Sequence, residues 1–254
     1  MRRILITTAL MLTTSAMAVT PKQVPFGPGE QSLYEVSFLG VPAGIAQVTV
    51  GLRTEQYGAK VLPLVCVGQT TAALSDVFQI RDRFVSYFDP QAMKPVGADY
   101  FIDENRTRRR EKFRFNQEPL KAHANKKKEG QGAYDVSYDV PEGTMDLAAA
   151  AFWLRGQPLV VGESREVPIF TGAKWYPMHV VVEGKETLTT RLGEVPVFRV
   201  SITTDFQGNA ATKGNIVVYY SADERQLPVR VRADFVVGSA VAELVQYLPG
   251  SSAL

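Results

Sequence analysis

Basic side chains occupy every second position of one segment of the chain. Residues 106, 108, 110, 112 and 114 are all Arg or Lys, and three consecutive lysines follow at 126–128. Because alternate residues of a β-strand point to the same face, the first five side chains are predicted to share one face of a strand. Such a face can bind phosphate or carboxylate groups. The predicted anion-binding or head-group-binding residues are Arg106, Arg108, Arg110, Lys112, Arg114, Lys126, Lys127 and Lys128.

The charge of this segment is offset by the rest of the chain. Residues 106–128 carry ten basic and two acidic side chains, a net charge of +8, and residues 19–105 and 129–254 together carry −8. Two interpretations stay open. The basic residues form a solvated face that keeps an exposed strand from pairing with other chains, or they bind lipid head groups or an acidic partner. The overall balance gives no reason to expect nucleic acid as a partner.

A hydrophobic ligand pocket is the second candidate site. A curved sheet with many inward-facing Val, Phe, Tyr and Leu side chains can leave a cavity at its concave face. The bulky residues predicted to lie nearest to it are Phe152, Trp153 and Trp175. The alternative is that these three side chains are ordinary core residues.

No residue pattern in the chain is typical of catalysis or of metal binding. The chain has two histidines, His123 and His179, and one cysteine, Cys66, and it lacks HExxH, CxxC, GxSxG and phosphate-loop motifs. Cys66 lies in the apolar run 61–67, where a thiol is predicted to be a buried structural residue. We therefore expect no enzyme activity, no metal and no cofactor. A hydrolase whose catalytic residues lie far apart in the sequence is a weaker third possibility.

The first 18 residues are typical of a cleaved leader. Arg2 and Arg3 precede the apolar run 4–12, and Ala16-Met17-Ala18 fits the small-residue cleavage pattern. The apolar run is shorter than the ~20 residues that a membrane-spanning helix needs. These features predict export to the periplasm as a protein that is not transmembrane after cleavage. We expect one domain over residues 19–248, with an alternative division near 141–158, and a loose tail at 249–254.

The remaining chain predicts a mainly β fold. Short β-branched or aromatic runs with period-two alternation recur along it, and turn signals such as Asp89-Pro90 separate them. This pattern indicates a curved antiparallel meander, either a partial barrel or two packed sheets. Residues 144–155 are the exception, because they are rich in helix formers, have Thr144 as a candidate N-cap and end before Gly156. We expect one short buried helix there.

Several sequence landmarks occur in a specific order. They are Pro25-Phe-Gly-Pro-Gly-Glu30, the segment 33–44, Val77-Phe-Gln-Ile-Arg-Asp82, the segments 146–155 and 184–193, and the segment 219–229. With these landmarks, the chain resembles a bacterial envelope family known as domain of unknown function 3108, over almost all of the mature chain. It differs at Ala222-Asp223, where a doubled acidic pair is expected, and at Tyr219-Tyr220, where Trp is common. The resemblance implies an exported β-rich domain and no established activity, and its curved sheet around a helix is similar to lipoprotein carriers at the level of fold alone.

Together these features predict a non-enzymatic periplasmic protein that binds a lipid or other amphiphile, or an envelope component. Its expected role is outer-membrane or cell-wall maintenance, with an anionic membrane surface as a further partner. The alternative is an envelope adaptor that docks a protein partner through the basic hairpin of residues 106–128 and holds no small ligand.

Overall fold

The computed structural model describes residues 24–76, 78–105, 107–204, 215–236 and 238–251. The predicted leader, Arg106 of the predicted anion-binding surface and residues 252–254 lie outside the described residues. Within the described ranges strands predominate, which confirms the mainly β prediction. No helix in these ranges combines the length and the apolar character that crossing a bilayer requires.

The strands and helices follow one another along the chain in a simple order. The strands before the longer helix are β1 (Gln31–Phe38), β2 (Val41–Val50), β3 (Thr54–Gln56), β4 (Ala59–Thr70), β5 (Arg81–Asp89), β6 (Lys94–Glu104), β7 (Thr107–Gln117), β8 (Leu120–Lys128) and β9 (Tyr134–Asp139). The helices are α1 (Ala72–Ser75) and α2 (Leu147–Arg155). The strands after α2 are β10 (Ser164–Phe170), β11 (Trp175–Thr190), β12 (Gly193–Thr204), β13 (Asn215–Ser221), β14 (Pro228–Phe235) and β15 (Gly238–Leu248).

These strands form one curved antiparallel sheet in which most strands pair with their neighbours in the chain. The order across the sheet is β10-β11-β12-β13-β14-β15-β1-β2-β4-β5-β6-β7-β8-β9, and β3 pairs with β4 beside this path. Strand β1 departs from the sequential order, because it lies between β15 and β2. Strands β9 and β10 end the sheet, so it is not closed into a barrel. The predicted curved antiparallel meander is therefore confirmed, as one open sheet.

Antiparallel pairing brings many of the connections to one end of the sheet. The connections after β1, β4, β6, β8, β10 and β14 lie at the same end, because each of these strands runs in the same direction. We call this end of the sheet the upper end. Met145 bridges Ile169 of β10 in parallel, so the chain runs toward the upper end before it enters α2. Helix α2 therefore begins near the upper end.

Helix α2 packs on one face of the sheet, which we call the inner face, and the opposite face is the outer face. Its buried apolar side chains are those of Ala149, Ala150, Phe152 and Leu154, and they lie against β4, β5, β6 and β10. The prediction of one short buried helix is confirmed.

The helix begins later than the sequence predicts. The Asp146 carboxylate accepts hydrogen bonds of 3.0 Å from the backbone N–H groups of Ala148 and Ala149, so Asp146 is the N-cap. The Thr144 hydroxyl instead donates to the Pro141 carbonyl over 2.7 Å. The expectation that Thr144 caps the helix is wrong, because the Asp146 carboxylate already accepts the free N–H groups of the first turn.

A buried ion pair fixes the other end of α2. Arg155 Nη1 lies 2.6 Å from Glu30 Oε1, and both side chains are almost fully buried. The guanidinium also lies 5.3 Å from the Phe26 ring centre and 5.0 Å from that of Phe152. Since Glu30 directly precedes β1, this pair ties the helix to the middle of the sheet.

Candidate functional site

A cleft opens at the upper end between α2 and the inner face of the sheet. Its volume is about 630 Å³. Residues of β4 to β8 line one side, the first turns of α2 line the other, and the connection from β10 to β11 lies at its mouth. The size falls within the range of roughly 300–1,000 Å³ that is typical of small-molecule sites.

Aromatic side chains form the floor of the cleft. The rings of Phe84 and Tyr100 meet edge to face at 5.0 Å, and Tyr100 meets Phe113 in the same way at 5.0 Å. The Phe113 ring in turn meets the ring of Phe170, in β10, with 5.4 Å between the ring centres. Ile102 adds an aliphatic side chain to the floor. Each edge-to-face contact fixes the tilt of its neighbour, so the floor is a preformed apolar surface.

Two ionisable groups of the floor are kept in their neutral forms. Burial, together with the nearby Asp146 carboxylate, raises the pKa of the Cys66 thiol to about 12. Burial also raises the pKa of the Tyr100 hydroxyl well above its usual value. The thiol is therefore not available as a reactive thiolate at neutral pH, and the phenol remains a hydrogen-bond donor.

The first turn of α2 forms the opposite wall. Leu147 is 54% exposed at this position, and Ala148 and Ala151 lie beside it on the cleft. Below them, buried Asp146 accepts a hydrogen bond of 2.6 Å from the Ser86 hydroxyl. Burial raises the pKa of Asp146, and the hydrogen bonds from Ser86, Ala149 and Ala148 oppose that shift. The wall is therefore apolar toward the cleft, and its one carboxylate is occupied by the helix cap.

Two cations lie at the rim of the cleft around one glutamate. Lys126 Nζ donates to the Gly172 carbonyl over 2.6 Å and lies 3.9 Å from Glu111 Oε2. Arg109 Nε lies 3.8 Å from the other Glu111 oxygen. Gly172 has φ +98°, and a Cβ there would lie 2.7 Å from Glu111 Oε2. The positive φ is the conformation that favours glycine here, so glycine allows the β10–β11 connection to approach this group closely.

A pair of acidic residues, Asp82 and Glu104, adjoins Arg109. Burial raises the pKa of Asp82 to about 6, and the neighbouring Glu104 carboxylate acts in the same direction while Arg109 opposes it. The Asp82 carboxylate accepts a hydrogen bond of 2.9 Å from the backbone N–H of Asp103. Glu104 itself lines the cleft. The rim therefore presents both acidic and basic groups rather than a purely cationic surface.

The predicted anion-binding residues do not share one surface. Arg108, Arg110, Lys112, Arg114 and Lys127 are exposed on the outer face, whereas Lys126 is buried on the inner face. Alternation along β8 explains the division: Ala122, Ala124 and Lys126 point inward, so Lys127 points outward and Lys128 lies on the inner side. Of the members of the predicted set that the structure describes, Lys126 alone lines the cleft.

Acidic residues on neighbouring strands offset the basic residues of the outer face. Arg108 Nε lies 3.2 Å from Asp103, and Arg110 lies 3.7 Å from Asp99, both on β6. Lys112 and Lys127 form no ion pair or hydrogen bond with any described residue. The +8 segment is thus partly neutralised once it lies within the sheet.

The three aromatic residues predicted for a ligand pocket lie elsewhere. Phe152 is buried in the main core, where it meets the Phe26 ring edge to face at 4.8 Å. Trp153 is partly buried against the same core. Trp175 is 43% exposed and lies opposite Phe170 in the β10–β11 pair. None of the three lines the cleft.

Sequence reasoning did not select the rim residues Glu104, Arg109 and Glu111. A signal for two of them was present in β7. The face opposite Arg108, Arg110, Lys112 and Arg114, which we call the basic ladder, carries Arg109 and Glu111 after Thr107 and becomes apolar at Phe113. A strand face that is apolar below and charged at its end is what a cleft mouth requires. No comparable signal joined Glu104 or Lys126 to that face.

The two histidines lie apart from the cleft. His123 Nδ1 lies 2.7 Å from the Ser137 hydroxyl, and His179 Nδ1 lies 3.3 Å from a Glu166 oxygen. Across the described ranges, no cluster of three or more His, Cys, Asp and Glu side chains is arranged to hold a metal ion.

The arrangement that the cleft does provide, an apolar floor below a charged rim, is suited to a molecule with an apolar part and a polar end.

Comparison with known proteins finds a family match and structural neighbours. A family model described as "Protein of unknown function (DUF3108)" matches residues 33–245. A crystal structure of a beta-barrel-like protein of domain of unknown function DUF1849 from Brucella abortus has a TM-score of 0.60 at 10% identity, and covers 89% of this chain and 100% of that chain. A structure described as "a putative lipoprotein from Parabacteroides distasonis" has a TM-score of 0.34 at 12% identity, with 89% and 99% covered. No curated protein matches the chain.

Proposed function

Since the chain belongs to the family described as protein of unknown function DUF3108, whose description names no activity, we propose a function from the cleft. The proposal is a non-enzymatic exported protein that binds a lipid or another amphiphile. One observation carries it: a cleft of about 630 Å³ that joins a preformed aromatic floor to a charged rim.

Each part of the cleft has a role in this proposal. The apolar part of the ligand lies on Phe84 and Tyr100 and against the exposed side chain of Leu147, where burial of apolar surface supplies the affinity. Arg109 and Lys126 bind a phosphate or carboxylate of the polar end. Glu104 and Glu111 accept hydrogen bonds from hydroxyl or ammonium groups of the same polar end.

The neutral state of the floor supports binding rather than chemistry. The Cys66 thiol, with its raised pKa, is a poor nucleophile. The leader predicted at residues 1–18 is the reason for proposing the periplasm as the place where the protein acts. Its proposed role is in outer-membrane or cell-wall maintenance.

Native mass spectrometry of the mature protein, purified gently from its own periplasm, tests this proposal. We expect the wild-type protein to carry an additional mass that organic extraction identifies as an amphiphile. Ala148→Trp places a large ring in the cleft and is expected to remove that mass. Ala133→Trp, at an exposed position outside the cleft, is the matched control and is expected to retain it. A clean apo mass, with no binding of a lysophospholipid below its micelle concentration, would refute the proposal.

A second candidate function is the adaptor, and one observation favours it. On the outer face, Lys112 and Lys127, which have no partner among the described residues, flank Arg110, and Arg110 lies opposite exposed Phe101 in the β6–β7 pair. Cations around an exposed aromatic ring are suited to an acidic protein surface.

The adaptor is tested with a photo-crosslinking residue at position 112 in living cells. A single defined crosslinked product is expected there and not from position 60, which is exposed at the far end of β4. Equal products from both positions, or none from position 112, would leave the adaptor without support.

A further inference from the structure

Large apolar side chains are exposed at the upper end of the sheet, where the cleft also opens. Their exposed fractions are 63% for Leu39, 65% for Val41, 43% for Phe78 and 69% for Val236. They belong to the connections after β14, β1 and β4 and, for Val41, to the first position of β2. These connections are consecutive along the sheet because β14, β15, β1, β2 and β4 are neighbours. They therefore form one apolar border rather than scattered single residues.

Backbone hydrogen bonds hold this border together. The N–H of Leu39 donates to the Ser239 carbonyl over 3.0 Å, and the N–H of Thr71 donates to the Ala43 carbonyl over 2.9 Å. The Leu39 side chain lies directly against Gly238, where a Cβ would collide with it. These contacts join the connection after β1 to the start of β15 on one side, and the start of β2 to Thr71 at the end of β4 on the other.

Leu39 is an unfavourable residue for the place it occupies. It has φ +52° and precedes Gly40 at φ +80°, in a two-residue hairpin turn that favours Asn-Gly. A leucine with positive φ is strained, and most of its side chain faces solvent. Neither the turn nor the core accounts for a leucine here, which points to contact with something outside the chain.

The border continues into a basic sector. Beyond β5, β6 and β7, the upper end of β8 carries exposed Lys127 and Lys128, and Lys174 is exposed in the connection after β10. Glu129, which follows them, is paired with Arg108 at 3.8 Å. Neither Lys127 nor Lys128 has a charged partner among the described residues. An apolar border beside exposed lysines is complementary to a bilayer that contains anionic lipids.

We propose that the upper end of this protein docks on an anionic lipid bilayer. Leu39, Val41, Phe78 and Val236 enter the interfacial region, and the neighbouring lysines face the lipid head groups. Since the cleft opens at the same end, the docked molecule exchanges its amphiphile directly with the bilayer. This last step rests on the proposed function, whereas the docking itself does not.

Flotation of the mature protein with vesicles of phosphatidylethanolamine and phosphatidylglycerol in equal amounts tests the docking. Leu39→Asn combined with Val236→Ser is expected to lower the partition coefficient about tenfold. The thermal midpoint of the Leu39→Asn variant is expected to stay equal or rise, because Asn tolerates positive φ better than Leu. Added salt should weaken binding of the wild-type protein. The control is Leu192→Asn, which alters another exposed leucine, 48% exposed, at the opposite end and should bind as the wild type does.

The outcomes separate the docking from the proposed function. Vesicle binding that is unchanged in the double variant overturns the docking, whatever the cleft binds. Loss of vesicle binding in the double variant, with lysophospholipid binding retained, supports docking and leaves the cleft function intact. Loss of vesicle binding in a protein that takes up no amphiphile supports docking and refutes the cleft function alone.

Discussion

Asp82 is a buried carboxyl group whose proton affinity depends on its neighbours at the cleft rim. Burial and the Glu104 carboxylate raise its pKa to about 6, and Arg109 acts against them. Between the ordinary pKa of aspartate and pH 6, the Asp82 carboxyl group therefore keeps its proton in the folded protein. In the unfolded chain the same group has already released it. The stabilising contribution of this proton is complete at low pH and is lost as the pH rises through 6.

Asp82→Asn removes this pH dependence and keeps the hydrogen-bond acceptor for the backbone N–H of Asp103. As the pH rises from about 4 to 7, the thermal midpoint of the wild-type protein should decrease relative to that of the variant. Differential scanning calorimetry at several pH values measures the difference. Asp139→Asn is the control, because that side chain is 89% exposed, and its curve should run parallel to the wild type. Parallel curves for Asp82→Asn would contradict the prediction.

At the scale of elements, α2 forms one wall of the cleft and depends on a single capping residue. Asp146 accepts from the N–H groups of Ala148 and Ala149 and from the Ser86 hydroxyl, which belongs to β5. The same carboxylate therefore fixes the first helical turn and ties it to the sheet. Leu147 and Ala148, which line the cleft, directly follow this anchor.

Asp146→Ala should destabilise the protein by about 1–3 kcal/mol, because it removes the cap and leaves the Ser86 hydroxyl without its acceptor. Urea unfolding measures this loss, and amphiphile binding should weaken in parallel as the first turn loosens. Asp146→Asn is the matched control, since Asn caps helices as well as Asp does. Equal losses in both variants would show that the charge, and not the cap, is what matters at this position.

At the scale of the whole molecule, the two halves of the chain meet at the pairing of β1 with β15. Strand β1 has hydrogen-bonded neighbours on both sides, whereas β9 and β10 are the end strands of the sheet. The upper end of β10 is partly covered, because the N–H of Met145 donates to the Pro168 carbonyl over 2.9 Å and the N–H of Phe170 donates to the Met145 carbonyl over 2.8 Å. Backbone stability should therefore differ strongly across the sheet.

Hydrogen exchange followed by mass spectrometry is expected to reveal this gradient. Peptides of β1 and β15 should exchange most slowly, and peptides of β9 should exchange much faster. Within β10, residues near Phe170 should be better protected than those near Ser164, which have no such cover in the described structure. If β9 is protected as strongly as β1, then the sheet is closed more firmly in solution than its open edge indicates.

The period-two alternation of the sequence determined the mainly β fold and the antiparallel meander, and a run of helix formers determined where the one longer helix lies. These are local properties, because each depends on residues close together in the chain. Alternation also placed Arg108, Arg110, Lys112 and Arg114 on one strand face, although it could not tell which face points inward. Strand β8 was expected only as part of the hairpin of residues 106–128, because its Lys, Ala and Asn residues lack strand propensity and form a strand only by pairing between β7 and β9.

The cleft was decided by the tertiary structure alone. Pairing of β7 with β8 turns Lys126 inward beside Glu111, while Lys127 faces outward with the basic ladder. Packing of α2 places Phe152 in the core and leaves Leu147 at the cleft. Gly172, in the connection after β10, and Glu104, at the end of β6, reach the same rim from distant parts of the sequence. A site built from several strands and a helix depends on long-range pairing and on the direction of each face, which periodicity within one segment does not specify.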